Sequence, residues 1–170
     1  METTLEDILI SRENRVEKQM RLLHEYHHTI VCLTLNIPGK VKVFELVEEA
    51  FKEGCKKIVE TLRDHLIYVE KEENITGYVG FFVVDLESFI VKKKMVKIED
   101  DNDLGRLFDI DVISCDGKKV SRHDLNLPGR KCLLCDNDAF YCSRSRNHPV
   151  DELVRKIKEI LNDYFKRTNK

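Results

Sequence analysis

Between Leu104 and His148 the chain reads LGRLFDIDVISCDGKKVSRHDLNLPGRKCLLCDNDAFYCSRSRNH, and the side chains best suited to chemistry gather there. Asp109 and Asp111 lie two residues apart. On a β-strand that spacing puts both carboxylates on one face, where they can grip one hard cation while Ile110 and Val112 turn toward a core. A carboxylate pair holding Mg²⁺ is the layout of a phosphoryl-transfer site. Gly105 lets a backbone come close to a ligand, and Arg106 sets a planar guanidinium beside the pair. Asp124 follows shortly after, either as a third carboxylate of the site or as a turn-forming aspartate. Arg122, Arg130, Lys131, Arg144 and Arg146 cluster in the same stretch. Cations so grouped suit a multi-phosphate ligand whose charge a metal neutralises only in part.

Cys132, Cys135, Cys142 and His148 follow the pattern C-x2-C-x6-C-x5-H. Four soft or borderline ligands this close together can close a tetrahedral Zn²⁺ site without help from the rest of the chain. The competing reading is that the thiols pack as small apolar groups beside Leu133 and Leu134. No His or Asn is marked out as the partner of a catalytic cysteine.

These residues need elements to position them. Residues 4–26 have helical periodicity with a break near Ser11, apolar patches at Leu5, Ile8 and Leu9 and at Val16, Met20 and Leu23, and a capping box from Thr3 to Glu6. Residues 29–37 read as a buried strand ending at Pro38-Gly39. Val43, Val47, Ala50, Phe51, Gly54, Ile58 and Leu62 mark a long helix. Two strands, 66–70 and 78–84, flank the polar turn at Asn74 to Gly77. Residues 88–98 form a helix whose outer face carries Lys92, Lys93, Lys94 and Lys97. Strands 107–114 and 118–122 flank Asp116-Gly117, a strong hairpin signal that places the aspartate pair on a hairpin strand. An irregular Cys/His-rich loop, 130–148, leads to a C-terminal helix over 149–166 with Leu153, Ile157, Ile160, Leu161 and Tyr164 on one stripe. Interleaved helices and strands make an α/β or α+β fold. The expectation is a single domain, 1–170, with a mixed sheet and flanking helices.

Composition narrows the partners. A formal charge of −2 gives no overall basic field, which speaks against nucleic acid as the main ligand. No apolar run reaches the ~18 residues of a membrane span, and the N-terminus is acidic and amphipathic, so the chain reads as cytoplasmic with no membrane partner. Six cysteines in that setting argue for free thiols or a metal site over disulfides.

The stretch GRLFDIDV, the segment R-x-D-x-x-L-P-x-R-K-C-L-L-C from Arg122 to Cys135, and A-x-x-C-x-R-x-R-x-H from Ala139 to His148 form a specific combination. Together with S-R-E-x-R at Ser11 to Arg15 and N-I-P-G at Asn36 to Gly39, it resembles the apo-citrate lyase phosphoribosyl-dephospho-CoA transferases, the holo-acyl-carrier-protein synthases of citrate lyase. The resemblance implies transfer of the phosphoribosyl-dephospho-CoA group from triphosphoribosyl-dephospho-CoA to a serine of the citrate lyase acyl-carrier (gamma) subunit, with diphosphate leaving. It also implies a nucleotidyltransferase-like fold. The chain departs from that superfamily's Gly-Gly or Gly-Ser turn, because Arg106 follows Gly105; Pro38-Gly39 is the alternative place for a phosphate-cradling turn.

On this reading Asp109 and Asp111 hold Mg²⁺, while Gly105, Arg106, Arg122, Arg130, Arg144 and Arg146 contact the donor. Asp124 or a metal-held carboxylate takes the serine proton, and the four lysines of the 88–98 helix dock the carrier. The rival is a non-enzymatic zinc knuckle built on Cys132, Cys135, Cys142 and His148 that presents Arg144 and Arg146 to nucleic acid or a protein partner.

Overall fold

A computed structural model describes residues 2–168. The elements run α1 (Leu5–Tyr26), β1 (Thr29–Leu35), α2 (Val47–Leu62), β2 (Leu66–Asn74), β3 (Gly77–Val84), α3 (Ser88–Asp100), β4 (Phe108–Ile113), β5 (Lys119–Val120), α4 (Ala139–Ser145) and α5 (Val150–Thr168), with 3₁₀ turns at Arg63–His65, Gly105–Leu107 and His123–Leu125. The strands form one five-stranded sheet in the order β2-β3-β1-β4-β5. Every pairing in it is antiparallel, so the mixed sheet expected from the sequence is corrected while the single domain with flanking helices stands.

Strand alternation divides the sheet into two unequal faces. Val31, Leu33, Phe82, Val84, Phe108, Ile110 and Val112 point into the larger core. Ala50, Phe51, Ile58 and Leu62 of α2, Val91 and Met95 of α3, and Ile157, Ile160 and Leu161 of α5 close it. Each such aliphatic or aromatic side chain contributes roughly 1.5–3 kcal/mol when fully buried. The opposite face, with Ile30, Cys32, Phe81, Val83 and Ile113, is covered by Leu22 and Leu23 of α1.

Helix α1 is continuous. Ser11 does not break it; its hydroxyl meets that of Thr76 at 2.7 Å. The cap is Thr4, one residue later than expected: its hydroxyl accepts from the Asp7 amide, and the Asp7 carboxylate accepts from the Thr4 amide. Of the apolar positions assigned inward on α1, Leu5, Leu9, Val16 and Met20 are exposed. The helix instead turns Ser11, Arg15 and the half-buried Lys18 toward the sheet, because that part of the sheet floors a polar cleft. Lys18 pairs with Glu70 and, at 2.7 Å, with Glu72.

Helix α3 also differs from its expected outer face. Lys92 is only 6% exposed, which removes it from a docking surface; Lys93 and Lys97 remain exposed. Val43 lies ahead of α2, β5 keeps only two of the five residues expected of it, and a short helix, α4, interrupts the Cys/His loop. The turn at Asp116-Gly117 forms as expected, with Gly117 at φ 83°.

Candidate active site

Strand β4 places Asp109 opposite Thr34 and Asp111 opposite Cys32 of β1. Both carboxylates therefore leave the sheet on the α1 side, while Phe108, Ile110 and Val112 enter the main core. Asp109 remains accessible to solvent at the floor of a concave cleft of about 190 Å³. Ile8, Ser11, Arg12 and Arg15 of α1, Asn36 and Lys42 from the segment after β1, and Tyr78 of β3 line that cleft.

The surrounding protein and the neighbouring Asp111 together push the Asp109 carboxyl above its ordinary value, and Lys119 only partly offsets them. Lys119 sits 2.6 Å from Asp111. Burial opposes the Lys119 charge, but its bond to Asp111 outweighs that effect and raises the ammonium. A cation is thus already held against the pair by the β5 hairpin. Lys42, which donates to the Ile37 carbonyl at 2.5 Å, is lowered by burial and by the nearby Arg12. Cys32 adjoins the site, and burial pushes its thiol up to about 12, away from the thiolate form.

Arg12 and Arg15 are the residues that side-chain chemistry alone missed. Their i, i+3 spacing puts them on one face of α1, and S-R-E-x-R carried that signal.

The other candidate side chains are arranged differently. Arg106 donates to the Cys132 carbonyl at 2.8 Å. Arg122 is clamped by Glu99 at 2.7 Å and Asp100 at 3.0 Å. Arg130 donates to the carbonyls of Phe108 and Arg106, both at 2.7 Å, and acts on Asp109 only through space. Arg144 lies over the Phe140 ring, and Arg146, at φ 48°, ends α4. Arg106, Arg122, Arg130 and Arg146 line a larger groove of about 1,400 Å³, and Asn36 is the residue common to that groove and the aspartate cleft.

Two sequence-level roles change. Asp124 accepts from both the amide and the hydroxyl of Ser121 at 2.7 Å, so it builds a turn and its carboxylate is held low by those bonds. The backbone at Gly105 packs against α3 and not against an open ligand space: a Cβ there would lie 2.4 Å from the Ile98 carbonyl oxygen.

Cys132, Cys135, Cys142 and His148 converge, their ligand atoms all within 4.8 Å of one another. The Cys135 sulfur lies 3.5 Å from that of Cys142 and 3.2 Å from His148 Nε2. Edges of that length match a tetrahedron of Zn–S and Zn–N bonds of about 2.3 and 2.0 Å, so the site fits a structural zinc. Local folding explains the convergence. A bridge between Lys131 and Asp138 closes the Cys132–Cys135 knuckle, the Leu134 amide donates to the Cys132 sulfur at 3.5 Å, and Asp138 caps α4 through the amides of Phe140 and Tyr141. All six cysteines are free of disulfides. Among the described residues no helix is long and apolar enough to cross a membrane.

A family model described as apo-citrate lyase phosphoribosyl-dephospho-CoA transferase matches residues 3–164. The chain is 38% identical over 172 residues to a probable apo-citrate lyase phosphoribosyl-dephospho-CoA transferase of Vibrio cholerae serotype O1 (strain M66-2), covering 96% of this chain and 94% of that protein. A protein of the same description from Streptococcus pyogenes serotype M18 is 35% identical over 170 residues, with 97% and 88% covered. Protein CitXG of Haemophilus influenzae is 32% identical over 164 residues, which span 95% of this chain and 35% of that one.

Proposed function

The chain belongs to the apo-citrate lyase phosphoribosyl-dephospho-CoA transferase family, and from that premise we propose that it attaches the phosphoribosyl-dephospho-CoA group to a serine of the citrate lyase acyl-carrier subunit. The observation that carries the assignment to a site is the pairing of two carboxylates on one strand face with Arg12, Arg15 and Lys42 in or beside the same cleft. Two carboxylates with solvent access are the hard oxygen donors that suit Mg²⁺, an ion that completes its shell with water and substrate phosphates. Bound there, Mg²⁺ would neutralise triphosphate charge and stabilise the departing diphosphate.

Arg12, Arg15 and Lys42 hold the triphosphate against the floor. The serine Oγ attacks the α-phosphorus, the bond from that phosphorus to the bridging oxygen breaks, and diphosphate leaves with the electron pair. The serine proton passes to a carboxylate of the pair. In that pair Asp111 is held by Lys119 at 2.6 Å. No side-chain nucleophile is needed, because positioning and electrostatics carry the reaction. The long dephospho-CoA arm extends past Asn36 into the larger groove, where Arg106, Arg130 and Arg146 are within reach of its diphosphate. A nucleotidyltransferase-like ancestry agrees with this chemistry, and six free thiols agree with a reducing cytoplasm.

The zinc-knuckle reading accounts for residues 130–148 alone, whereas the family match runs from 3 to 164. The deciding experiment incubates the protein with triphosphoribosyl-dephospho-CoA, apo-carrier and Mg²⁺, and weighs the carrier by mass spectrometry. The expected result is a gain of one phosphoribosyl-dephospho-CoA group per carrier with release of diphosphate. Asp109→Asn and Asp111→Asn are each expected to slow transfer on the order of a hundredfold or more while the fold persists. Near-normal turnover in both variants would refute the site.

A further inference from the structure

Strand β4 has one complete edge and one incomplete edge. On the β1 side it pairs from Phe108 to Ile113, but β5 reaches only Val112 and Ile113 on the other. Phe108 and Ile110 alternate with residues bonded to β1, so their main-chain groups face the side where β5 has already ended. Unpaired backbone groups in a buried strand would be costly. Here charged side chains take them. Arg130 donates to the Phe108 carbonyl at 2.7 Å, Glu99 accepts from the Ile110 amide at 3.0 Å, and Lys92 donates to the Ile110 carbonyl at 2.9 Å. Lys92 and Glu99 lie two turns apart on one face of α3 and are 6% and 3% exposed. The second Glu99 oxygen receives Arg122 at 2.7 Å, and Arg130 stands 3.8 Å from the first.

Ile110 is the residue between the two aspartates. Its amide and its carbonyl belong to the peptide units that join it to Asp109 and to Asp111. Fixing both fixes the direction in which each carboxylate leaves the strand. A longer β5 would satisfy the same groups with neutral backbone, without burying several charges whose desolvation is expensive. The buried ions leave the strand edge beside the carboxylates unpaired by another strand and still rigid. We infer that Lys92, Glu99 and Arg130 are positioning residues that replace the missing part of β5 and hold the peptide between Asp109 and Asp111 in the geometry that binds the cation. This deepens the reading of the aspartate pair as the cation site and rests on it.

The test uses the full chain with Lys92→Met, which keeps the stem and loses the ammonium, and Lys92→Arg, which restores a donor. Three quantities are followed: exchange of the Ile110 and Asp111 amides by NMR, binding of Mn²⁺ alone by electron spin resonance, and kcat against carrier KM. In Lys92→Met, exchange of those two amides is expected to quicken at least tenfold, while amides of Ile157 and Leu161 in α5 hold. The Mn²⁺ midpoint is expected to rise about tenfold, and kcat to fall with carrier KM unchanged. Lys92→Arg should recover most of each change. If Lys92→Met does not fold, Glu99→Gln, which keeps an acceptor for the Ile110 amide but loses the charge facing Arg122, is expected to show the same pattern in milder form. Uniform loss of protection across the domain, or an unchanged Mn²⁺ midpoint in a folded variant, overturns the positioning role. Mn²⁺ binding that survives Asp109→Asn and Asp111→Asn overturns the cation site itself, and the Ile110 exchange then still decides whether Lys92 fixes the strand.

Discussion

Gly105→Ala separates two meanings of one glycine. If the residue is small so that a phosphate can approach, the substitution should weaken donor binding and leave stability alone. The structure demands the opposite. A Cβ at this position would stand 2.4 Å from the Ile98 carbonyl oxygen and 2.8 Å from that of Glu99, both main-chain atoms of the last turns of α3. Close carbon–oxygen contacts begin at about 3.3 Å, so the nearer pair overlaps by about 0.9 Å. No flexible side chain can swing away. The turn at 105–107 or the end of α3 must move, in a region where Leu104, Gly105 and Leu107 are all buried. Overpacking of this kind costs about 3 kcal/mol, which for a chain of this length lowers Tm by roughly 6–12 °C. Thermal unfolding followed by circular dichroism reads that shift, and steady-state kinetics well below the new Tm reads the rest. We expect the donor KM to stay within twofold while kcat falls, because Glu99 is displaced with its carbonyl. A Tm unchanged within a degree, together with a tenfold rise in donor KM, would refute the packing argument and return Gly105 to the ligand.

The pH profile follows from the sign of the Asp109 shift in the metal-free protein: proton and cation compete for this carboxylate, so at limiting Mg²⁺ activity is lost as pH falls through a midpoint above the usual aspartate range, and Lys119→Met, by removing the ammonium that lowers it, should move that acid limb upward. An acid limb in Lys119→Met at or below that of the unmodified protein would contradict this. For the Cys/His site, protein purified without added metal should carry close to one zinc per chain, and Cys135→Ser should lose both the metal and much of the stability, since structural zinc contributes directly to folding. Transfer should respond to Mg²⁺ and not to the retained zinc; finding no zinc and freely titrating thiols in folded protein would favour simple packing.

The strands, most helix spans and the hairpin at Asp116-Gly117 were legible because each depends on neighbours in sequence: alternation along Phe108 to Ile113, the 3.6-residue stripe of α5, the left-handed turn at Gly117. The Cys/His convergence was legible for the same reason, its ligands being close together in one loop. What the sequence hid was contact across elements. The arginines near Asp109 in sequence turn to carbonyls and acids of their own loop and of α3, while the cations that share the aspartate cleft come from α1 and the segment after β1, some seventy to a hundred residues away. Proximity along the chain does not fix which face of a sheet a side chain meets. Lys92 misled for a related reason: in a run of three lysines, periodicity shows a polar stretch but not that one member reaches a carbonyl at a strand's open edge.

The Cys/His loop and the aspartate strand, which look like two separate devices in the sequence, are joined through Arg130. It precedes Cys132 by two residues, its carbonyl receives the Ala139 amide at 2.8 Å at the base of α4, and its guanidinium ends on Phe108 and Arg106. Arg106 returns the link by donating to the Cys132 carbonyl. Leu133 packs on the main core from the same knuckle. A zinc ion bound by Cys132 and Cys135 would therefore brace the segment that supplies one of the three ionic contacts on the free edge of β4. Loss of that ion would reach Asp109 only through the backbone that carries it, with no need for the metal to touch the substrate.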